Sequence, residues 1–274
     1  MFGQLSADTK YLRDIPHYWP YMRRLGLPSF QYTAREVISG LCFTGYADDL
    51  SKTYSTLLAE RVSAHLANNQ GVDLHHLCWQ TDNGSEFLEN KQHRGLPSTV
   101  RAFGSDHRYI PPKAYTWQSD VETVHSLVER EFFDREDFLS PKDFWAKLTT
   151  YWLYFNIARP NSGKEGQTPL QIIRSLNPKI SPAIASWHPL DLSALHNQYF
   201  HRYNPKRDHD LPVYPYEQIR RCRGKAFQRR MVAGVLRTGE AGLLVKGKAL
   251  PGGTRESLQA RQTGSSFQKP SQSA

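Results

Sequence analysis

Asp82-Asn83-Gly84, Glu122 and Asp8 are the residues whose types and settings could do chemistry. Leu74 to Trp79 reads as a strand, Asp82 falls where that strand ends, and Asn83-Gly84 force a turn. A carboxylate at the end of a buried strand, beside a tight turn, is held rigidly and faces an open cleft. That placement suits a metal ligand, although the turn alone requires no such role. Glu122 has a different setting. Val121, Val124, Leu127, Val128 and Phe132 recur at helical spacing, and Ser119-Asp120 offers N-caps. Glu122 therefore sits in a first helical turn, off the apolar stripe, where it would also complement the helix dipole. Asp8 falls mid-strand in the alternating run from Ala7 to Leu12. Strand propensity disfavours a mid-strand Asp, so something must compensate, and a metal ion would do so.

Three carboxylates on separate elements, in the order Asp, Asp, Glu, resemble the catalytic core of the DDE transposase and retroviral integrase superfamily. The resemblance is wider than the triad. Gln80 to Phe87 is similar to the second-Asp motif of insertion-sequence transposases. The run from His107 through Ile110-Pro111-Pro112 to Val121-Glu122 is similar to their histidine, proline and glutamate segment. Tyr154-Phe155-Asn156, Arg159-Pro160 and Gly166-Gln167-Thr168-Pro169-Leu170 resemble the signature that closes the core. The likeness covers roughly residues 5–172. Two departures stand out. Ser126 and Glu129 occupy positions where retroviral integrases carry DNA-touching lysines, and Ser119-Asp120 stands near the family's usual Asn.

The resemblance implies a ribonuclease-H-like α/β fold, with a central mixed five-stranded sheet and helices on both faces. It implies metal-dependent DNA cleavage and strand transfer, with Asp8, Asp82 and Glu122 as both catalytic residues and metal ligands. Such reactions are in-line displacements at phosphorus. Two Mg²⁺ or Mn²⁺ ions held by hard oxygen ligands can activate the attacking oxygen and stabilise the leaving one. Asp8 would bridge both ions, Asp82 would complete one site and Glu122 the other. Asp14 is a rival for the first position, and Glu129 and Glu131 for the third. Glu86 reads as support for Asp82. Lys113, Trp117, Gln118 and His125 are candidate DNA contacts around the third carboxylate; Tyr115 and Trp117 could stack on a frayed base. A surface histidine and a core tryptophan are the plain alternatives for His125 and Trp117. Two other functions compete: a catalytically silent DNA-binding or assembly protein derived from a transposase, and a ribonuclease-H-like nuclease.

The elements that must position these residues follow in order. Gln4 to Leu12 reads as the first strand. An aromatic insertion, Ile15 to Pro28, precedes a hairpin of Ser29 to Ile38 and Leu41 to Tyr46. Leu50 to Asn69 is helical in period, and Leu74 to Thr81 feeds Asp82. A short helix at Pro97 to Phe103, a strand at Arg108 to Ile110, the Glu122 helix to about Phe133 and an aromatic helix from Asp143 to Asn156 complete the core. The core is assigned to residues 1–176, a linker to 177–189, a small basic β-rich module to 190–250, and a disordered tail to 251–274. The first strand leaves no room after Met1 for a helix-turn-helix region. The chain is thus expected to be a truncated or separately encoded catalytic part, or to start upstream.

The 274 residues carry a net charge of +9. Residues 1–182 hold 20 basic and 20 acidic side chains, so the whole excess falls in residues 183–274. Arg220, Arg221, Arg223, Lys225, Arg229 and Arg230 are its densest part and are candidate phosphate contacts. The expected partner is double-stranded DNA, both element ends and target, bound by a homo-oligomer. No apolar run is long enough to span a membrane. Three unpaired cysteines fit a reducing compartment, and a nucleoid-associated bacterial cytoplasm is expected. His75-His76 beside Cys78 lacks a second ligand pair and reads as strand entry rather than zinc.

Overall fold

The computed structural model describes residues 2–89, 95–111 and 114–202. In chain order these form β1 (Gln4–Tyr11), α1 (Trp19–Leu25), β2 (Phe30–Glu36), β3 (Cys42–Ala47) and α2 (Lys52–Ala64). Then come β4 (Cys78–Thr81), α3 (Leu96–Ala102), β5 (Asp106–Tyr109), α4 (Ser119–Val128), α5 (Pro141–Ile157), α6 (Pro169–Leu176), β6 (Leu190–Asp191) and α7 (Leu192–Arg202). The sheet order is β5-β4-β1-β2-β3-β6. β1 pairs antiparallel with β2, and β2 with β3, whereas β4 runs parallel to both β1 and β5. Helices cover both faces of this mixed sheet, which is the ribonuclease-H-like arrangement.

Strand alternation decides which face each residue serves. Leu5 and Ala7 of β1, Tyr32 and Ala34 of β2 and Trp79 of β4 pack with Leu57, Leu58 and Val62 of α2 and with Val100 of α3. The opposite face receives Val124 and Val128 of α4 and Phe144, Leu148 and Trp152 of α5, with Cys42 and Tyr46 of β3. The aromatic insertion forms α1, whose Met22, with Tyr18 at its N-cap, joins this second cluster. Local signals set the helix starts. The Ser51 hydroxyl accepts from the Tyr54 N–H, the Ser140 hydroxyl accepts from Asp143 ahead of Pro141, and Thr168 and Gln171 form a reciprocal capping box.

The segment expected as a linker is instead packed. Ile180, Ile184, Ala185 and Trp187 are buried in the first core cluster, and the Trp187 indole donates to the Thr44 carbonyl at 2.9 Å. Its prolines read as punctuation, but one of them, Pro182, opens a short 3₁₀ turn, where a proline needs no N–H partner. The sheet also has a sixth strand beyond the five expected. β6 pairs parallel with β3 through Gly45 and Tyr46, so residues 190–202 belong to the core rather than to a separate module. The rest of that module and the tail lie outside the described residues.

Trp187→Ala should therefore cost about 3–5 kcal/mol of stability, the range for deleting a buried indole. A chain ending at residue 176 should lose more. Urea denaturation checks this, and a loss under about 1 kcal/mol would restore the linker reading.

Candidate active site

The two aspartates meet through strand register. Ala7 of β1 is paired with Thr81 of β4, so Asp8 and Asp82 are the next residues on adjacent parallel strands. Strands lie about 4.8 Å apart, which puts the two carboxylates side by side. Asp82 is fixed by its turn: its Oδ1 accepts the Gly84 N–H at 2.9 Å, and the Asn83 amide donates to the Ile110 carbonyl at 3.1 Å. Gly84 leaves room for two carboxylates, which a side chain there would push aside. A Cβ there would lie 2.6 Å from Glu86 Oε2 and 2.9 Å from Asp82 Oδ1. Glu86, a fourth carboxylate, thus sits against Asp82.

Glu122 lies exposed in the first turn of α4. Its charge reaches Asp8. Burial first, and then the charges of Asp82, Glu122 and Glu86, push the Asp8 carboxyl up to about 7, against a backbone hydrogen bond at Thr9 that lowers it. Burial, with Asp82 adding, also raises Glu86. The expected three residues, with Glu86, therefore share one negative field. Among the described residues, however, no group of three or more His, Cys, Asp or Glu side chains is drawn together closely enough to hold an ion as it stands.

The rivals are committed or displaced. Glu129 pairs with Lys10 at 2.5 Å, and Glu131 is held by Arg159 at 2.5 and 2.8 Å. Asp14 lies exposed in a 3₁₀ turn past the end of β1. Asp120 pairs with the buried Arg35 of β2 at 2.5 Å. Among the described residues Glu122 forms no ion pair.

Two candidate DNA contacts are corrected. His125 is buried beside Val124 and Val128 under α4; its Nε2 lies 3.0 Å from Thr33 Oγ1 and its Nδ1 3.6 Å from Asp8 Oδ2. Burial, helped by the Lys10 charge, pushes it down to about 3, so the ring is neutral. Gln118 is also buried, and its amide faces the Ala7 carbonyl at 3.5 Å. Trp117 is 48% exposed, as a contact residue must be. Its ring lies 5.4 Å from the Arg108 guanidinium, and its carbonyl accepts from Gln80 at 2.8 Å. Lys113, Arg220, Arg221, Arg223, Lys225, Arg229 and Arg230 lie outside the described residues.

Arg108 was not foreseen. It donates to Gln80 at 2.9 Å and to Gln4 at 2.6 Å, joining the three parallel strands behind the site. Its register partner is Gln80, a pairing invisible before the strands are aligned. His107 is held by the Thr81 hydroxyl at 3.0 Å, and burial pushes it down to about 4. His107 ties β5 to β4, whereas Arg108 is exposed and reaches across the strands.

Fold and site define a ribonuclease-H-like core with an acidic cluster at the ends of its central parallel strands. "Putative integrase ORF3" of Spiroplasma virus SpV1-C74 is 22% identical over 183 residues, covering 64% of this chain and 48% of that protein. The chain thus spans about half the length of this curated relative. No protein-family model matches. Among solved structures, the catalytic core domain of BIV integrase aligns with 17% identity and a TM-score of 0.43, over 65% of this chain and 99% of that one. A simian T-cell lymphotropic virus intasome in complex with PP2A regulatory subunit B56 gamma aligns with 14% identity and a TM-score of 0.45, over 62% and 54%. The likeness to an integrase or transposase core thus rests on the motifs, on the curated relative and on the strand order.

The raised Asp8 carboxyl makes stability depend on pH. Its folded value of about 7 exceeds the ordinary 3.8, so the fold opposes ionisation. Stability is lost as pH rises between those values and is level above them. Asp8→Asn cannot ionise. In EDTA at pH 8 it should gain on the order of 2–4 kcal/mol, since each pH unit between the two values is worth about 1.36 kcal/mol. The gain should shrink steadily towards pH 5. Urea titrations of both proteins across that range check it; a pH-independent difference would show that Asp8 carries no such cost.

Proposed function

We propose that the chain is the catalytic part of a metal-dependent DNA transposase or integrase that cuts DNA and joins the freed end to a target. The observation that carries this reading is the side-by-side register of Asp8 and Asp82, with Glu122 on the helix above them and within reach of Asp8's charge. Carboxylate oxygens are the donors that Mg²⁺ and Mn²⁺ prefer. Asp8 fits that role for a second reason: burial and three like charges oppose its ionisation, and a divalent cation would relieve both. Asp8, Asp82 and Glu122 would hold such ions, which when bound activate an oxygen nucleophile and stabilise the leaving oxygen.

The chain's own residues supply placement. The Gly84 N–H fixes one oxygen of Asp82. The Arg35 pair to Asp120 holds the first turn of α4, and with it Glu122, against β2. Trp117 and Arg108 form an exposed ledge joined to Gln80, two residues before Asp82. Stacking on that ledge would hold a frayed terminal base without reading sequence. The basic C-terminal stretch is proposed to bind the phosphate backbone of flanking duplex.

Asp82→Asn removes a charged metal ligand at nearly constant volume. Nicking of a supercoiled or end-containing duplex in Mg²⁺ should fall at least ~10³-fold, each tenfold being about 1.36 kcal/mol of transition-state stabilisation. DNA affinity should change by less than about threefold. A variant that cleaves near the wild-type rate would remove Asp82 from the chemistry and the proposal with it.

A further inference from the structure

Between β1 and β2 the chain makes a detour from Leu12 to Ser29 that a tight hairpin would not need. It contains Arg13, Arg23 and Arg24 against the single acid Asp14. Each arginine is set on an aromatic ring. The Arg13 guanidinium lies 5.1 Å from the Tyr11 ring and 5.4 Å from that of Phe30. Arg23 lies 5.8 Å from Trp19, and Arg24 lies 5.2 Å from Tyr21. One Arg24 N–H also donates to the Phe138 carbonyl at 3.4 Å. All three arginines are exposed, and among the described residues none forms an ion pair. Trp19 is exposed as well, although nothing in its own helix requires an indole there. The nearby acid Asp137 is engaged by the Tyr21 hydroxyl and by His17.

We infer that this detour is a backbone clamp for the duplex that flanks the acidic cluster. A guanidinium that rests on a ring by its face keeps its N–H edge for a ligand, although Arg24 spends one N–H on the Phe138 carbonyl. That fork matches the paired oxygens of a phosphate. Stacking also restrains a long side chain before any ligand arrives, so less ordering remains for binding to impose. The position suits the role. Tyr11 follows Asp8 by three residues on one strand, about 10 Å at 3.3 Å per residue, and alternation turns its ring, with Phe30 beside it, to the face opposite Asp8. That distance is roughly three base-pair rises along a duplex. α1 packs through Met22, and through Tyr18 at its N-cap, on the same sheet face as α4, the face towards which Asp8 is directed, so Arg23 and Arg24 leave the end of β1 on one face and Arg13 on the other. The contact reads charge spacing rather than bases, so it is independent of sequence. The inference rests on the DNA-processing reading above and adds the surface that holds the substrate.

The test uses the full chain and two unrelated duplexes. Arg13→Gln, Arg23→Gln and Arg24→Gln are combined in one variant. Lys142→Gln, Arg174→Gln and Lys179→Gln, three exposed cations elsewhere, form a control with the same net charge. Fluorescence anisotropy across a salt series gives the slope of log affinity against log salt. Each lost phosphate contact should flatten that slope by about 0.9. The clamp variant should therefore lose roughly 2–3 from the slope and about tenfold or more in affinity at about 0.15 M salt, equally on both duplexes. The control should lose much less. A companion variant with all three arginines changed to lysine keeps the charge but not the fork, and should fall between. Equal losses in clamp and control variants, or an unchanged slope, would overturn the clamp. If wild-type protein nicks DNA with Mg²⁺ while the clamp variant binds normally, the clamp fails and the function stands. If the slopes change as expected but no metal-dependent nicking occurs, the clamp stands and the catalytic reading fails.

Discussion

The arrangement depends on one interface: the polar contact between α4 and the β1-β2 face beneath it. Alternation sends Ser6, Asp8 and Lys10 of β1, and Gln31, Thr33 and Arg35 of β2, towards that helix. An apolar helix could not cover such a stripe without stranding its polar groups. α4 and the turn after it answer three of these residues. Asp120 meets Arg35, His125 meets Thr33, and the turn after the helix supplies Glu129 for Lys10. Val121, Val124 and Val128 fill the space between, with no exposed surface. Such tethers fix both the rotation and the height of the helix, so a side chain in its first turn has a defined place over the strand ends.

A second tier of residues holds the turn that follows α4. Arg159 grips Glu131 in a bidentate pair, and the Tyr151 hydroxyl donates to the same carboxylate at 3.2 Å. A fork-on-carboxylate contact fixes direction as well as distance, which a lysine there would not. Asn156 imitates a neighbouring strand: its amide accepts from the Cys42 N–H at 3.0 Å and donates to the Cys42 carbonyl at 2.9 Å. The Lys164 ammonium reaches the Val37 carbonyl at 2.7 Å. The residues that read as a closing signature thus act on packing. They lock α5 and the loop after it to the hairpin, and through Glu131 to the end of the α4 segment.

This division explains what was legible in the sequence. Strand order, the α2 and α5 helices and the turn at Asn83-Gly84 carry strong local signals: period, caps and a glycine that tolerates crowding. The placement of Asp82 at a strand end and of Asp8 within a strand followed from them. The packed segment 177–189 did not, because its prolines speak locally while Ile184 and Trp187 are recruited by a distant sheet edge. β6 is two residues long and has no period to detect. His125 and Gln118 misled for a related reason. Polar residues near a suspected site look like ligand contacts, yet here they satisfy the polar stripe, and only the register of β1 with β2 reveals that stripe.

The same stripe leaves one group unanswered. Lys10 stands two residues from Asp8 on the same face and is the natural countercharge for it, but its ammonium is taken by Glu129. The imidazole nearest Asp8 is neutral, partly because that lysine is already there. The surrounding cations are thus paired with other elements, and among the described residues Asp8 faces Asp82, Glu86 and Glu122 without a fixed cation. A lysine or arginine built into that position would make a more stable protein, since an unpaired buried carboxylate is costly. It would also neutralise the field that, under the proposed function, draws divalent ions to the strand ends. The uncompensated charge at Asp8 and the proposed activity are therefore the same feature. Pairing Lys10 with Glu129 anchors the helix and keeps that field uncompensated at once.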